Sequence, residues 1–204
     1  MKQVKPAEWF ESWKEPGEFF RSADDGLEAF FRARNAPPKY LREAYVAGAF
    51  ARIWRDDQGP CHVRLVPEKE QFPDAQMKTK AGMLGLEATM ADEKDRPIFK
   101  IWRDIAAMYE HGEAPPIGDV ETKRSIAREA IPRVCRQKAE KHYAGHGPTN
   151  LLIYVNPGLV LSPEEMARLT ATWKDDFEAI YLLCGMDVVM AWPELRVLRG
   201  KEPL

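Results

Sequence analysis

Apolar residues in the first quarter of the chain recur at roughly helical intervals, three or four positions apart. From Ala7 to Arg34 they are Trp9, Phe10, Trp13, Phe19, Phe20, Leu27, Phe30 and Phe31. Pro16 and Gly17 interrupt that rhythm, so it predicts two short helices rather than one. Pro37 and Pro38 break the chain again. Tyr40 to Trp54 then resumes as a helix, with Leu41, Tyr45, Ala49, Phe50 and Ile53 on one side and Glu43 within it. At this spacing the N-terminal aromatics are expected to pack into a core rather than to stack bases or greet a partner.

After the turn residues Asp56 to Pro60 the pattern changes. Cys61 to Val66, Phe72 to Thr79 and Met83 to Met90 predict three strands in a short meander, turned at Lys80, Ala81 and Gly82. Residues 91–119 are polar and contain Pro115 and Pro116, which predicts an insertion or lid. A short helix is expected there around Phe99 to Tyr109, with Ile101, Trp102, Ile105 and Met108 on its apolar side. A long amphipathic helix follows from about Val120 to Tyr143, burying Ile126, Ala127, Ala130, Ile131, Val134 and Ala139 and stopped by Gly145 and Gly147. Pro132 is expected to kink it.

Leu151 to Val155 is an unbroken apolar run of strand length, as in a sheet covered on both faces. Ser162, Pro163 and Glu165 supply an N-cap, a first-turn proline and a capping-box acid for a helix reaching about Phe177. Ala179 to Leu183 and Val188 to Trp192 predict two more strands. The order is helix, three strands, helix, strand, helix, strand, which is an α/β pattern without internal repeats.

With 204 residues, the chain suits one core carrying an N-terminal helical extension: residues 1–36, then an α/β core over 37–204 with the insertion at about 91–119. Apolar residues at 45% and charged residues at 30% place it among ordinary globular proteins. Met1 to Phe20 lacks the apolar stretch of a signal peptide, and no run reaches the roughly 18 to 20 apolar residues of a membrane span, so a cytoplasmic protein without a membrane partner is expected. Cys61, Cys135 and Cys184 are odd in number and far apart, which predicts reduced, buried thiols.

A net charge of −2 argues against a surface coated in basic charge. One local patch stands out: Lys123, Arg124, Arg128, Arg133, Arg136, Lys138 and Lys141 against Glu121, Glu129 and Glu140 along the long helix, seven cations to three anions.

Asp74, in Phe72-Pro73-Asp74, and Glu87, in Leu86-Glu87-Ala88-Thr89, lie on adjacent strands of the meander. A hard cation such as magnesium or manganese is held by one or two carboxylates with waters and a substrate phosphate. Outside such a site Asp74 would be a turn aspartate and Glu87 an exposed strand glutamate. In Pro73-Asp74, in Glu87 and in its order of elements, the chain resembles the PD-(D/E)xK nuclease superfamily from about Tyr40 to Trp192. The resemblance implies a restriction endonuclease-like core, magnesium or manganese at Asp74 and Glu87, and DNA as partner. It also implies an assisting glutamate from the preceding helix, where Glu43 stands.

The motif lysine is missing, because its position is Thr89. Some members of the superfamily carry that lysine elsewhere, and Lys138 on the long helix is the candidate, with Gln137 and Lys141 as weaker alternatives. Otherwise Lys138 would be a surface lysine. His142 and His146 have the i, i+4 spacing of metal ligands, but no acid lies between them and Gly145 ends the helix. Gly82 and Gly85 lack the continuation of a phosphate loop, and no GxSxG elbow occurs.

The resulting expectation is a metal-dependent nuclease or DNA-processing protein with Glu43, Asp74, Glu87 and Lys138 at its centre. A nuclease-fold protein without catalysis, binding nucleic acid or protein, is the alternative that Thr89 and the net charge favour. A third is an enzyme that uses the same carboxylates on a small substrate, with 91–119 as its lid.

Overall fold

In a computed structural model, the chain is described at residues 4–33, 35–70, 72–91, 100, 103–104, 107–108, 111–113, 119–141, 149–155, 161–173, 175–184, 188–192 and 197–199. Three helices come first: α1 (Ala7–Phe10), α2 (Pro16–Arg32) and α3 (Lys39–Gln58). Pro16 and Lys39 each open their helix, the latter just after Pro38, where a missing N–H or a proline-set backbone costs the helix least. The meander is β1 (His62–Leu65), a 3-10 turn (Glu68–Glu70), β2 (Ala75–Thr79) and β3 (Gly82–Ala91). Then come α4 (Val120–Ala139), β4 (Asn150–Val155), α5 (Pro163–Thr170) with a 3-10 turn (Ala171–Trp173), β5 (Ala179–Cys184), β6 (Val188–Trp192) and β7 (Val197–Arg199).

Among the described residues the seven strands form one sheet in sequence order. β1, β2 and β3 are antiparallel neighbours, β3, β4 and β5 run parallel, and β5, β6 and β7 are again antiparallel. The mixture follows from the connections: a tight turn between Thr79 and Gly82 joins the antiparallel pair β2 and β3, while the parallel steps from β3 to β4 and from β4 to β5 pass through α4 and α5. β4 is buried along its whole length, as its unbroken apolar run requires.

Helices cover both faces. On one, Phe19, Leu41, Phe50, Met77, Leu86 and Tyr154 belong to a core shared by α2, α3 and the sheet. On the other, Ala130, Ile131, Met166, Leu151, Ile153 and Leu182 join α4 and α5 to the opposite side of the same strands. α3 is buried nearly all round because it lies between α2 and the sheet. Gly48 allows that: a Cβ there would lie 3.0 Å from Phe20 Cα.

The N-terminal aromatics pack as expected, with Phe10, Phe19 and Phe20 buried, except that Trp13 is 36% exposed beneath the Arg64 guanidinium, 4.9 Å from its ring centre. Lys14 pairs with Val63 through two 3.0 Å backbone bonds and so covers part of the β1 edge. All three cysteines are free and buried, and burial pushes each thiol up to about 12.

Several boundaries differ from the sequence expectation. The helix opened by Ser162 ends at Thr170 rather than near Phe177. The Thr170 hydroxyl donates to the Met166 carbonyl at 2.9 Å, and Asp176 N–H closes a turn on Trp173 O at 3.2 Å that sends the chain into β5. α4 continues through Pro132 and ends at Ala139, and β7 has no counterpart in the sequence reading. The helix expected around residues 99–109 lies largely outside the described residues, although Lys100, Arg103, Asp104, Ala107 and Met108 are helical. Among the described residues no helix is long and apolar enough to cross a membrane.

Candidate active site

The β2–β3 ladder ends at the pair Ala75 and Leu86, yet β3 runs on to Ala91 beside β4. One step past that last pair, Asp74 falls opposite Glu87, at a notch where β3 loses its neighbour on one side. Asp74 fills the gap by accepting the Ala88 N–H on Oδ2 at 3.0 Å, while its own carbonyl accepts the Val66 N–H at 3.1 Å. Pro73 rests on the bare backbone of Gly85, where a Cβ would lie 3.2 Å from Pro73 Cγ. Asp74 is thereby fixed from both sides.

Two helices supply the remaining groups. Near its C-terminus α4 sends Lys138 to the notch, where its Nζ donates to Glu87 Oε1 and lies 3.9 Å from Asp74 Oδ2. From α3, Lys39 Nζ lies 3.0 Å from Glu43 Oε1 and 3.5 Å from Asp74 Oδ1. The side chains of Glu87, Asp74 and Lys138 are only 4%, 8% and 13% exposed. An exposed strand glutamate and a surface lysine are therefore ruled out for Glu87 and Lys138, because their charges are withdrawn from water and meet each other.

Burial, followed by the negative charge of Asp74, pushes the Glu43 carboxyl up to about 7, against the opposing pull of Lys39. A hydrogen bond with Asp74 also favours its protonated form. Burial works against the Lys39 charge, but the bonds and charges of Glu43 and Asp74 outweigh it and raise that pKa.

Glu43, Asp74, Glu87 and Lys138 thus converge from α3, the residue before β2, β3 and α4; Asp74 precedes the strand expected to carry it, because β2 begins at Ala75. Sequence reasoning missed Lys39. One signal was present: a lysine at the first position of a helix stands at the end where the backbone dipole disfavours a cation. Gln137 and Lys141 are exposed and line neither of the cavities beside the carboxylates. His142 and His146 lie outside the described residues.

The basic character of α4 is also smaller than its count of charges. Arg128 bonds Glu121 at 2.7 Å and Glu165 of α5 at 2.6 Å, Arg124 lies 3.5 Å from Glu121, and Lys138 is spent on Glu87. Arg136 and Lys141 remain exposed.

A cavity of about 250 Å³ opens beside this cluster, walled by Lys39, Arg42, Glu43, Thr89 and Lys138 among others. Thr89, two residues beyond Glu87, shares its face of β3, and Lys138 lines the same cavity. A second cavity of about 560 Å³ is also lined by Lys39 and Glu43 and reaches Asp74.

Asp74 and Glu87 offer oxygen donors suited to a hard divalent cation, and the Lys138 ammonium already lodges a positive charge between them. Among the described residues no three His, Cys, Asp or Glu side chains gather as a complete ligand set. A magnesium or manganese ion at this pair would depend on water and a substrate phosphate for its other ligands. No family model, curated protein or solved structure matches the chain.

Proposed function

We propose that this chain is a metal-dependent phosphodiester hydrolase acting on nucleic acid, DNA foremost, on a restriction endonuclease-like core in which Lys138 replaces the motif lysine absent at Thr89. The observation that carries the reading is the convergence of Glu43, Asp74, Glu87 and Lys138, from three elements and the loop before β2, on one half-enclosed notch. The element order from α3 to β5, with β3 and β4 parallel, supports it.

Asp74 and Glu87 would hold the metal, which when bound activates water and stabilises the phosphodiester transition state. Lys138 orients the attacking water or a phosphate oxygen by donating from its ammonium group. Glu43, titrating near neutral pH, can take or return a proton at its carboxylate. Lys39 and Arg42 join Lys138 to make the smaller cavity cationic, which suits a phosphate.

The test is a cleavage screen of single- and double-stranded DNA and RNA with magnesium or manganese, using the parent beside Asp74→Ala and Glu87→Ala, with all three checked for folding by circular dichroism. The expected result is metal-dependent cleavage lowered about a hundredfold or more in both variants. No cleavage of any substrate by the folded parent sinks the proposal.

A second reading, a binding module that keeps the fold without the chemistry, is favoured by the lysines themselves. Lys39 and Lys138 already balance the buried carboxylates without a metal. Nucleic-acid binding indifferent to chelator and without turnover would select it.

A further inference from the structure

The larger cavity differs in kind from the smaller one. Among the described residues, the smaller is lined by Lys39, Arg42 and Lys138 with the acid Glu43, whereas the larger is lined by Glu8, Glu11, Glu43 and Asp74 with the cation Lys39. A phosphate is drawn to the first and repelled by the second. What the larger cavity offers is carboxylate hydrogen-bond acceptors together with Tyr40 and three prolines, Pro38, Pro67 and Pro73. The Tyr40 ring is held in place, since its hydroxyl donates to the Lys5 carbonyl at 3.1 Å and its centre lies 6.0 Å from that of Phe10. A group that matches these walls is planar, uncharged, π-faced and rich in N–H donors. An amino-bearing nucleobase has that chemistry.

We propose that the larger cavity receives the base next to the phosphate held in the smaller one, so that the site acts on unpaired nucleotides, in single strands or frayed ends, rather than within a duplex. The proposal rests on the hydrolase reading for the placement of the phosphate. Lys39 and Glu43 wall both cavities, so one nucleotide unit can bridge them with its phosphate on the cationic side and its base on the acidic side. Base pairing and stacking within a duplex would have to be given up before a base could enter. The N-terminal helix α1 contributes Ala7 and Glu8 to the wall and is followed there by Glu11, which gives the extension a role in substrate choice.

The experiment uses the full chain and one DNA sequence presented as single strand, as duplex, and as single strands with an abasic site moved along them. Cleavage is followed with manganese and binding with calcium. Expected are a kcat/KM for the single strand at least about tenfold above that for the duplex interior, and an abasic position that lowers affinity about tenfold. Tyr40→Ala should raise KM about tenfold with kcat held, and Glu11→Gln should alter which base is preferred. Should Tyr40→Ala fail to fold, the abasic series on the parent decides.

Equal cleavage of single strand and duplex interior, or affinity blind to the abasic site, overturns the base cavity while the hydrolase reading stands. Absence of cleavage with binding still sensitive to the abasic site and to Tyr40→Ala sinks the hydrolase reading and keeps the cavity. Absence of both overturns the two together.

Discussion

Lys138→Met removes one ammonium group and keeps a side chain of similar reach. It leaves Glu87, 4% exposed, and Asp74, 8% exposed, facing each other, with Lys39 3.5 Å from Asp74. Breaking a buried ion pair from one side costs about 3 to 5 kcal/mol, because the surviving charge stays buried. Here the notch opens on a cavity that water can enter, so the lower end applies, about 3 kcal/mol. Glu87→Gln should cost less, about 1 to 2 kcal/mol, since the amide oxygen still accepts from Lys138 and the ammonium keeps Asp74 3.9 Å away. The double variant carries neither charge, so its cost should fall short of the sum by about 2 kcal/mol. Urea unfolding at neutral pH, followed through the six tryptophans, measures all four proteins, with an unchanged m-value as the sign that only stability has moved. Single costs below about 0.5 kcal/mol that simply add would refute the buried pair.

The other predictions concern the same notch. Glu43 has its folded pKa at about 7 against an ordinary 4.5, so the folded state keeps the proton longer as pH rises, and stability falls between those values and is flat above. Glu43→Gln should therefore match the parent below that window and exceed it above pH 7 by at most about 3 kcal/mol; a difference that does not vary with pH contradicts this. Gly85→Ala places a Cβ 3.2 Å from Pro73 Cγ, and the yielding of Pro73 should cost about 1 kcal/mol and slow cleavage about tenfold; unchanged kcat means that Pro73 does not position Asp74. Manganese should bind weakly to the protein alone, more tightly with uncleavable single-stranded DNA, and more tightly as pH rises through about 7, while titration calorimetry blind to both DNA and pH would refute the link to Glu43.

The carboxylates were legible because strand periodicity and a hairpin at Gly82 fix the register: once Thr79 faces Gly82, Asp74 must come opposite Glu87. Glu43 and Lys138 were legible as polar residues on helices whose apolar sides commit them to the two faces of the sheet. Lys39 was not, since its bond to Asp74 joins residues 35 apart in the chain and depends on how α3 lies across the β2 entrance. The charge of α4 was overcounted for a related reason: Glu165, which takes Arg128, comes from another helix 37 residues on. The larger cavity was invisible because its floor and rim come from α1, from Tyr40 and from the loops before β2, segments that only docking brings together.

Charge balance connects the site to its two readings. With Glu43 protonated, Asp74 and Glu87 carry two negative charges and Lys39 and Lys138 return two. These four groups thus balance before any metal arrives, and a divalent cation entering alone adds charge to a cluster that has no deficit of it. Two events restore the balance: Glu43 losing its proton, and a phosphodiester entering the cavity walled by Lys39, Arg42 and Lys138. A bound metal should therefore favour both phosphate binding and Glu43 ionisation, and each of these should in turn raise the affinity for metal. A binding module would show phosphate affinity without that dependence, because the lysines alone suffice to hold an anion. The distinction lies in whether Lys138 can leave Glu87 when the second cation comes, and the half-open cavity beside Thr89 is the space into which it would swing.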